Sequence, residues 1–166
     1  MKFKKVVNVI CGAMLLLTFC SCTKEGSAHF KGSYSFKTSG SLTLSKKENS
    51  NLSSTTLHLT TESGQMNILS DDNSTVKVTM NIIGGDVLVI DGTVSGKTLT
   101  INEFSRRVSV RDNLEEIALD CKISGTATRL DNVVIFNLTY TGSGTTDSAT
   151  YNIRQSDVKC VAKLNE

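Results

Sequence analysis

From residue 32 onward, apolar and polar positions alternate with a period of two, in short runs separated by turn residues. Leu42 and Leu44, Leu57 and Leu59, and Met66 and Ile68 recur at every second position. So do Val76, Val78, Met80 and Ile82, with Lys77, Thr79 and Asn81 between them. Such a run is a strand with one buried face. The punctuation is equally regular. Residues 49–54 form a polar loop, and Asp71-Asp72-Asn73, Gly84-Gly85, Ser95-Gly96-Lys97 and Asp131-Asn132 supply the short Asx and Gly residues that tolerate left-handed turns. Asp91-Gly92 is expected to bulge or turn its strand, and Gly125 to break or bend the strand over 116–124. Residues 142–147 read as a long hairpin tip, and 102–113 is the least regular stretch. Residues 87–90 and 133–140 are apolar on both faces, as in strands that are central or that line a ligand space. No amphipathic helix longer than about two turns is evident, against an ordinary content of about one third helix. The pattern predicts an all-β domain of about ten strands, at the spacing of a sandwich or barrel. Serial hairpins favour a single antiparallel up-and-down β-barrel, whose closure removes exposed edges. An elongated β-sandwich is the structural alternative.

The N-terminus follows other rules. Lys2, Lys4 and Lys5 precede an apolar run over 6–17, interrupted only by Asn8 and Gly12. A bilayer span needs about 20 apolar residues, so a cleaved export signal fits better than a transmembrane helix. The run closes on Leu15-Leu16-Leu17-Thr18-Phe19-Cys20-Ser21-Cys22. This stretch resembles the lipobox of a bacterial lipoprotein signal peptide. Cys20 follows the bulky Phe19, whereas Cys22 follows the small Ser21, which the resemblance favours as the site of cleavage. The implied organisation is a signal peptide over 1–21, a polar tether over 22–31 lipidated through the Cys22 thiol, and a barrel domain over 32–166. Each buried methylene contributes about 0.8 kcal/mol and stable anchoring takes two chains, a condition that a diacylglycerol on Cys22 meets. The protein is then expected in the bacterial cell envelope, on the outer membrane, tethered without spanning it.

Removing the leader changes the charge. The 18 Lys and Arg and 16 Asp and Glu of the whole chain become 15 against 16, a balance of −1. A near-neutral domain gives no argument for nucleic acid or an acidic partner. Beyond Cys22 only Cys121 and Cys160 remain, each on the apolar side of its strand. A core disulfide requires neighbouring strands, with Cα atoms within about 7 Å; two buried free thiols are the equal alternative. No close-spaced ligand pair points to zinc, and Asp71-Asp72-Asn73 lacks the loop spacing of a calcium site.

A second resemblance rests on the domain. The tether into Gly32-Ser33-Tyr34, the serial hairpins, and Ser124-Gly125-Thr126-Ala127-Thr128-Arg129-Leu130-Asp131-Asn132 running into 133–140 are similar to the lipocalin or calycin-like lipoproteins of Bacteroidetes. The likeness covers most of residues 30–164 and is one of pattern. Lipocalins carry Gly-x-Trp on the first strand, its ring packed at the closed end against an arginine of the last strand. Tyr34 stands in the Trp position here, and Arg154 is the arginine that the resemblance suggests. It implies a cavity for a small apolar ligand. Asp147-Ser148-Ala149 resembles the O-glycosylation pattern of the same bacteria, making Ser148 a candidate.

Candidate chemistry is sparse. His29 lies in the tether, and His58 shares a polar face with Thr56 and Thr60. No Gly-x-Ser-x-Gly elbow accompanies them, so no catalytic residue, cofactor or metal is expected. Arg106, Arg107 and Arg111 form the one basic cluster, able to meet an anion or a partner, or to pair with Glu103, Asp112, Glu115 and Glu116 on a solvated loop. The leading expectation is a non-enzymatic, lipid-anchored barrel that binds a small apolar ligand. The alternative is an interaction module that docks an envelope protein or glycan through these arginines or a strand edge.

Overall fold

The computed structural model describes residues 26–112 and 115–166. Nine antiparallel strands follow one another: β1 (Gly32–Glu48), β2 (Asn51–His58), β3 (Glu62–Ser70), β4 (Thr75–Ile82), β5 (Val87–Ser95), β6 (Thr98–Asp112), β7 (Glu115–Leu130), β8 (Val133–Thr145) and β9 (Thr150–Leu164). Their order in the sheet is β2-β1-β3-β4-β5-β6-β7-β8-β9, and β9 returns to pair with β1. The sheet therefore closes on itself as a barrel, and the sandwich alternative falls away. No α-helix occurs among the described residues.

β1 has two neighbours on one edge. Its first part, from Gly32 to Thr38, pairs with β3, and its second, from Ser41 to Glu48, pairs with β2. β2 and β3 thus lie end to end, and the barrel has two levels. The lower is a ring of eight strands, β1 and β3 to β9. In the upper level, β2 approaches β6, and a single bridge, Leu59 to Val110, joins them.

Alternation places one side chain in two inside, and the interior divides the same way. The lower core holds Tyr34, Phe36, Met66, Ile68, Val78, Leu99 and Phe136 with their neighbours. The upper core holds Leu42, Leu44, Ile117, Leu119, Tyr151 and Val158 among others. Fully burying one such aliphatic side chain contributes about 1.5–3 kcal/mol. The pairing slips at three places, in β6, in β9 and between Leu138 and Ser143 of β8. In β6 the pairing with β7 shifts between Ile101 and Phe104, so inward positions change from Leu99 and Ile101 to Phe104, Arg106, Val108 and Val110. In β9, Gln155 pairs with Thr43 and Ile153 with Leu44, leaving Arg154 as the extra residue.

The turns fall where the Asx and Gly residues predicted, at 71–74, 83–86, 96–97 and 131–132. Five expectations differ. Gly125 does not break its strand, since β7 runs on to Leu130, and residues 142–145 extend β8, so the tip begins at 146. Residues 51–54 belong to β2, because β1 is long enough to pair with them. Asp91-Gly92 neither bulges nor turns: β5 runs straight through, and Gly92 lets Thr100 and Leu99 approach closely. The tether is not free over its described part. Residues 26–29 form a 3-10 turn, and Phe30 is buried in the lower core.

Candidate functional site

The lower end is closed by side chains. Tyr34 is fully buried, and its hydroxyl donates to the Phe30 carbonyl at 2.6 Å. Arg129, from β7, lies 5.9 Å from the centre of the Tyr34 ring; its Nη1 donates to the His29 carbonyl at 2.7 Å and to Tyr34 Oη at 3.2 Å. Burial raises the Tyr34 phenol above its usual range, and Arg129 opposes the shift. Tyr34 takes the expected place. The expected arginine does not: Arg154 is the bulged residue of β9 and donates to Ser45 Oγ at 3.1 Å in the upper level. Arg154 lies at the level of Thr43 and Leu44, ten residues along β9 from Leu164, the partner of Tyr34, so its place along the strand keeps it from the closed end and Arg129 packs there instead.

The wall is parted at one place. β5 pairs with β6 only from Gly92 to Ser95, opposite Ile101 to Thr98. Beyond the β6 bulge the two strands separate, and β5 presents an unpaired edge from Val87 to Asp91. Its outward residues Val87 and Val89 are each 60 % exposed, while Leu88 and Ile90 point inward. The apolar character of 87–90 on both faces is thus explained by this edge. Over 133–140 the inward Val134, Phe136 and Tyr140 are buried, while on the outer face Val133 and Ile135 are half-buried and Asn137 and Thr139 exposed, so only 133–136 is apolar on both faces.

Above the parting lies a cleft of about 350 Å³, bounded by Leu59, Glu62, Gly85, Arg106, Val108 and Tyr140. Its polar floor is an ion pair. Arg106 donates through Nη1 and Nη2 to the two carboxylate oxygens of Glu62, at 2.8 and 2.5 Å. The pairing is bidentate, and the hydrogen bonds to Glu62 raise the Arg106 pKa further. Tyr140 is buried beside the pair. Burial first, and the Glu62 carboxylate second, push its phenol far up, so the hydroxyl stays neutral. One inward position further down the same strands, Phe104 and Leu138 join Met66, Val78, Met80 and Ile90 around an apolar cavity of about 30 Å³. A thin polar layer therefore separates an open cleft from an apolar void.

Removing the carboxylate charge tests that layer. The side chains of Arg106 and Glu62 are 18 % and 26 % exposed, so Glu62→Gln leaves a partly buried guanidinium without its counter-ion. The expected loss is about 1–2 kcal/mol in urea unfolding, below the about 3–5 of a fully buried pair.

The three arginines do not form one patch. Arg106 points inward, whereas Arg107 is exposed and lies 3.3 Å from Asp120. Arg111 is exposed near the end of β6, opposite Glu116. The stretch 102–113, read as an irregular loop, is strand as far as Asp112, and strand geometry sends neighbouring side chains to opposite faces. Arg107 shares a shallow depression with Ser105, Asp120 and Lys122, and Arg111 is exposed apart from it. Sequence reasoning missed Glu62, because its partner lies 44 residues away.

Cys121 and Cys160 are buried free thiols, the second of the two alternatives. Cys121 sits on β7 in the upper core and Cys160 on β9 in the lower, with β8 between the two strands. Burial pushes each thiol up to about 11. Both should resist a thiol reagent at pH 8 in the native protein and react fully in denaturant. The folded pKa lies above the unfolded value, so the folded state holds these protons more tightly. Stability should be constant below about pH 8.5 and fall as the pH rises toward the folded value of about 11. Chemical unfolding at several pH values checks this.

His58 is exposed on β2, and Ser148 is exposed on the turn between β8 and β9, beside Asp147. Cys22 lies outside the described residues. Among the described residues no cluster of His, Cys, Asp and Glu is placed to hold a metal ion.

These features define an antiparallel β-barrel, closed at one end and parted on one side. No protein-family model matches the chain, and no curated protein does. Two solved structures are similar in fold. One is EF1p2_mFAP2b bound to DFHBI, with a TM-score of 0.45 and 12 % identity over 86 % of this chain and 99 % of that one. The other is a redesigned beta barrel, with a TM-score of 0.32 and 13 % identity over 85 % of this chain and 96 % of that one.

Proposed function

We propose that this chain is a non-enzymatic, lipid-anchored protein of the bacterial cell envelope that holds a small, largely apolar ligand at the parted side of its barrel. The anchor is a lipid on Cys22, seated in the outer membrane. The parting carries the binding reading, because an open cleft of about 350 Å³ stands there one polar layer above an apolar void. The cleft alone falls within the usual size of ligand sites, about 300–1,000 Å³. The void, at about 30 Å³, has room for a methyl-sized group. A ligand therefore rests in the cleft, satisfies Tyr140 or the ion pair with a polar atom, and extends an apolar end past Phe104. Met66 and Met80 line that path, and their unbranched side chains repack readily.

Native mass spectrometry of the chain, produced with its own leader in its own kind of host, tests both parts. Denaturation should release a small molecule, leaving a polypeptide that begins at Cys22 and carries covalent lipid. A sugar on Ser148 would add to the same denatured mass. Equal native and denatured masses would turn the reading toward a docking module.

One observation favours that second reading. The β5 edge from Val87 to Ile90 has no lysine, proline or bulge to protect it. An extended segment of an envelope protein could add there as a strand. Amides of β5 that face β6 should then exchange rapidly in the isolated protein and slowly in the complex.

A further inference from the structure

We infer that the closed end of the barrel is the surface that faces the bilayer, so that the parted side opens parallel to the membrane and the far turns point away from it. This rests on the reading of Cys22 as the lipidated residue. The argument is one of reach. Residues 26–34 are fastened to the closed end. Ser27 N donates to the Asn73 carbonyl at 3.0 Å, and Ser27 Oγ meets Ser70 Oγ at 2.6 Å and the Asp72 carbonyl. Phe30 is buried in the lower core, and the His29 carbonyl accepts from Arg129. From Cys22 to Ser27 is five residue steps, which span at most about 18 Å even when fully extended. An acyl chain leaving Cys22 enters the bilayer directly, so the Ser27 attachment point stays within that distance of the lipid headgroups.

The turns that share this end are identified by their bonds. The β3–β4 turn holds Ser27 through Asn73. Ser74, next along, accepts from Val94 N, just before the β5–β6 turn. The β7–β8 turn follows Arg129, and its Asn132 carbonyl accepts from Leu164 N. Leu130, the last residue of β7 beside this turn, is 74 % exposed and is the apolar side chain best placed to meet lipid. The surroundings are of mixed charge, with Asp71, Asp72 and Asp131 against Lys31, Lys97 and Lys163. The orientation therefore comes from the short tether and needs no anionic lipid. At the opposite end lie the turns at 49–50 and 146–149, with Ser148 among them, while the turn at 83–86 stands at mid-height beside Ser63.

The experiment uses the full lipidated chain in phosphatidylethanolamine vesicles that carry a headgroup-bound quencher. Leu130→Cys and Asn73→Cys place a fluorophore at the closed end, and Asp147→Cys places one at the far end. The native Cys121 and Cys160 are buried and stay unlabelled. Expected is loss of most of the fluorescence at positions 130 and 73 and none at 147. Quenching at 147 equal to or greater than that at 130, in protein that floats with the vesicles, overturns the orientation and leaves the anchor standing. Protein that does not float, with no lipid mass on Cys22, overturns the anchor and the orientation together.

Discussion

Tyr34→Ala is expected to lower the stability of the barrel by about 3–5 kcal/mol, the range for truncating a large buried aromatic. Three losses coincide. The ring fills the closed end with no solvent contact. Its hydroxyl satisfies the Phe30 carbonyl, and its face and oxygen both engage Arg129. Tyr34→Phe separates these: it keeps the ring and drops the hydrogen bonds, for about 1–2 kcal/mol. Arg129→Ala leaves the His29 carbonyl without its donor and uncovers the ring. Residues in one network couple by about 0.5–3 kcal/mol, so the Tyr34 and Arg129 losses should not add. Urea unfolding of the two single variants and the double variant measures the coupling. A double variant whose loss equals the sum of the two would show that Arg129 and Tyr34 act separately.

Gly142→Ala is expected to be of similar size. Gly142 has φ +140, a backbone that other residues rarely adopt, and a Cβ there would lie 2.1 Å from the Asp120 carbonyl oxygen. Backbone strain costs about 1–3 kcal/mol and overpacking about 1–3 more. The neighbour is strand backbone, opposite Cys121 on β7, so it cannot swing aside. Gly142 also marks the stretch where β8 pairing with β9 skips from Leu138 to Ser143. The glycine lets β8 kink there without losing β7. Thermal unfolding should show a markedly lower midpoint, whereas Gly96→Ala, on an open turn with nothing within 4 Å of the added carbon, should fall only slightly through its φ of +59.

The architecture was legible because a period of two needs no tertiary information. Val76, Val78 and Ile82 face inward, as their spacing implied. So were the turns, since Gly84 and Asp131 occupy positive φ as Gly and Asx residues do. What escaped the sequence was register. The bulge after Ile101 turns Arg106 inward, and the pairing of β9 with β1 sets Arg154 level with Thr43 and Leu44 rather than with Tyr34. A one-residue slip reverses every side chain beyond it, and no local signal marked the slip or the pairing. Cys121 and Cys160 were both seen to be apolar-facing. Their separation depended on β8 lying between them, which is a fact of strand order. Glu62 gave no sign of its role until β3 was set near β6. The exposed edge of β5 was equally hidden, because Val-Leu-Val-Ile reads alike whether its outer face is covered or bare.

The seam between β1 and β9 has a consequence for synthesis. The first strand of the domain pairs with the last, as Tyr34 with Leu164 and Lys47 with Thr150. A ribosome delivers β1 long before β9, so the growing chain holds hairpins that have no final neighbour. Such late, sequence-distant pairing is slow and leaves edges bare in the meantime. A transcript truncated after residue 149 would yield a curled sheet with β1 and β8 both unpaired on one side. The ring is therefore completed only once β9 is available, and a chain-terminating mutation before or within β9 should be as damaging as one early in the domain.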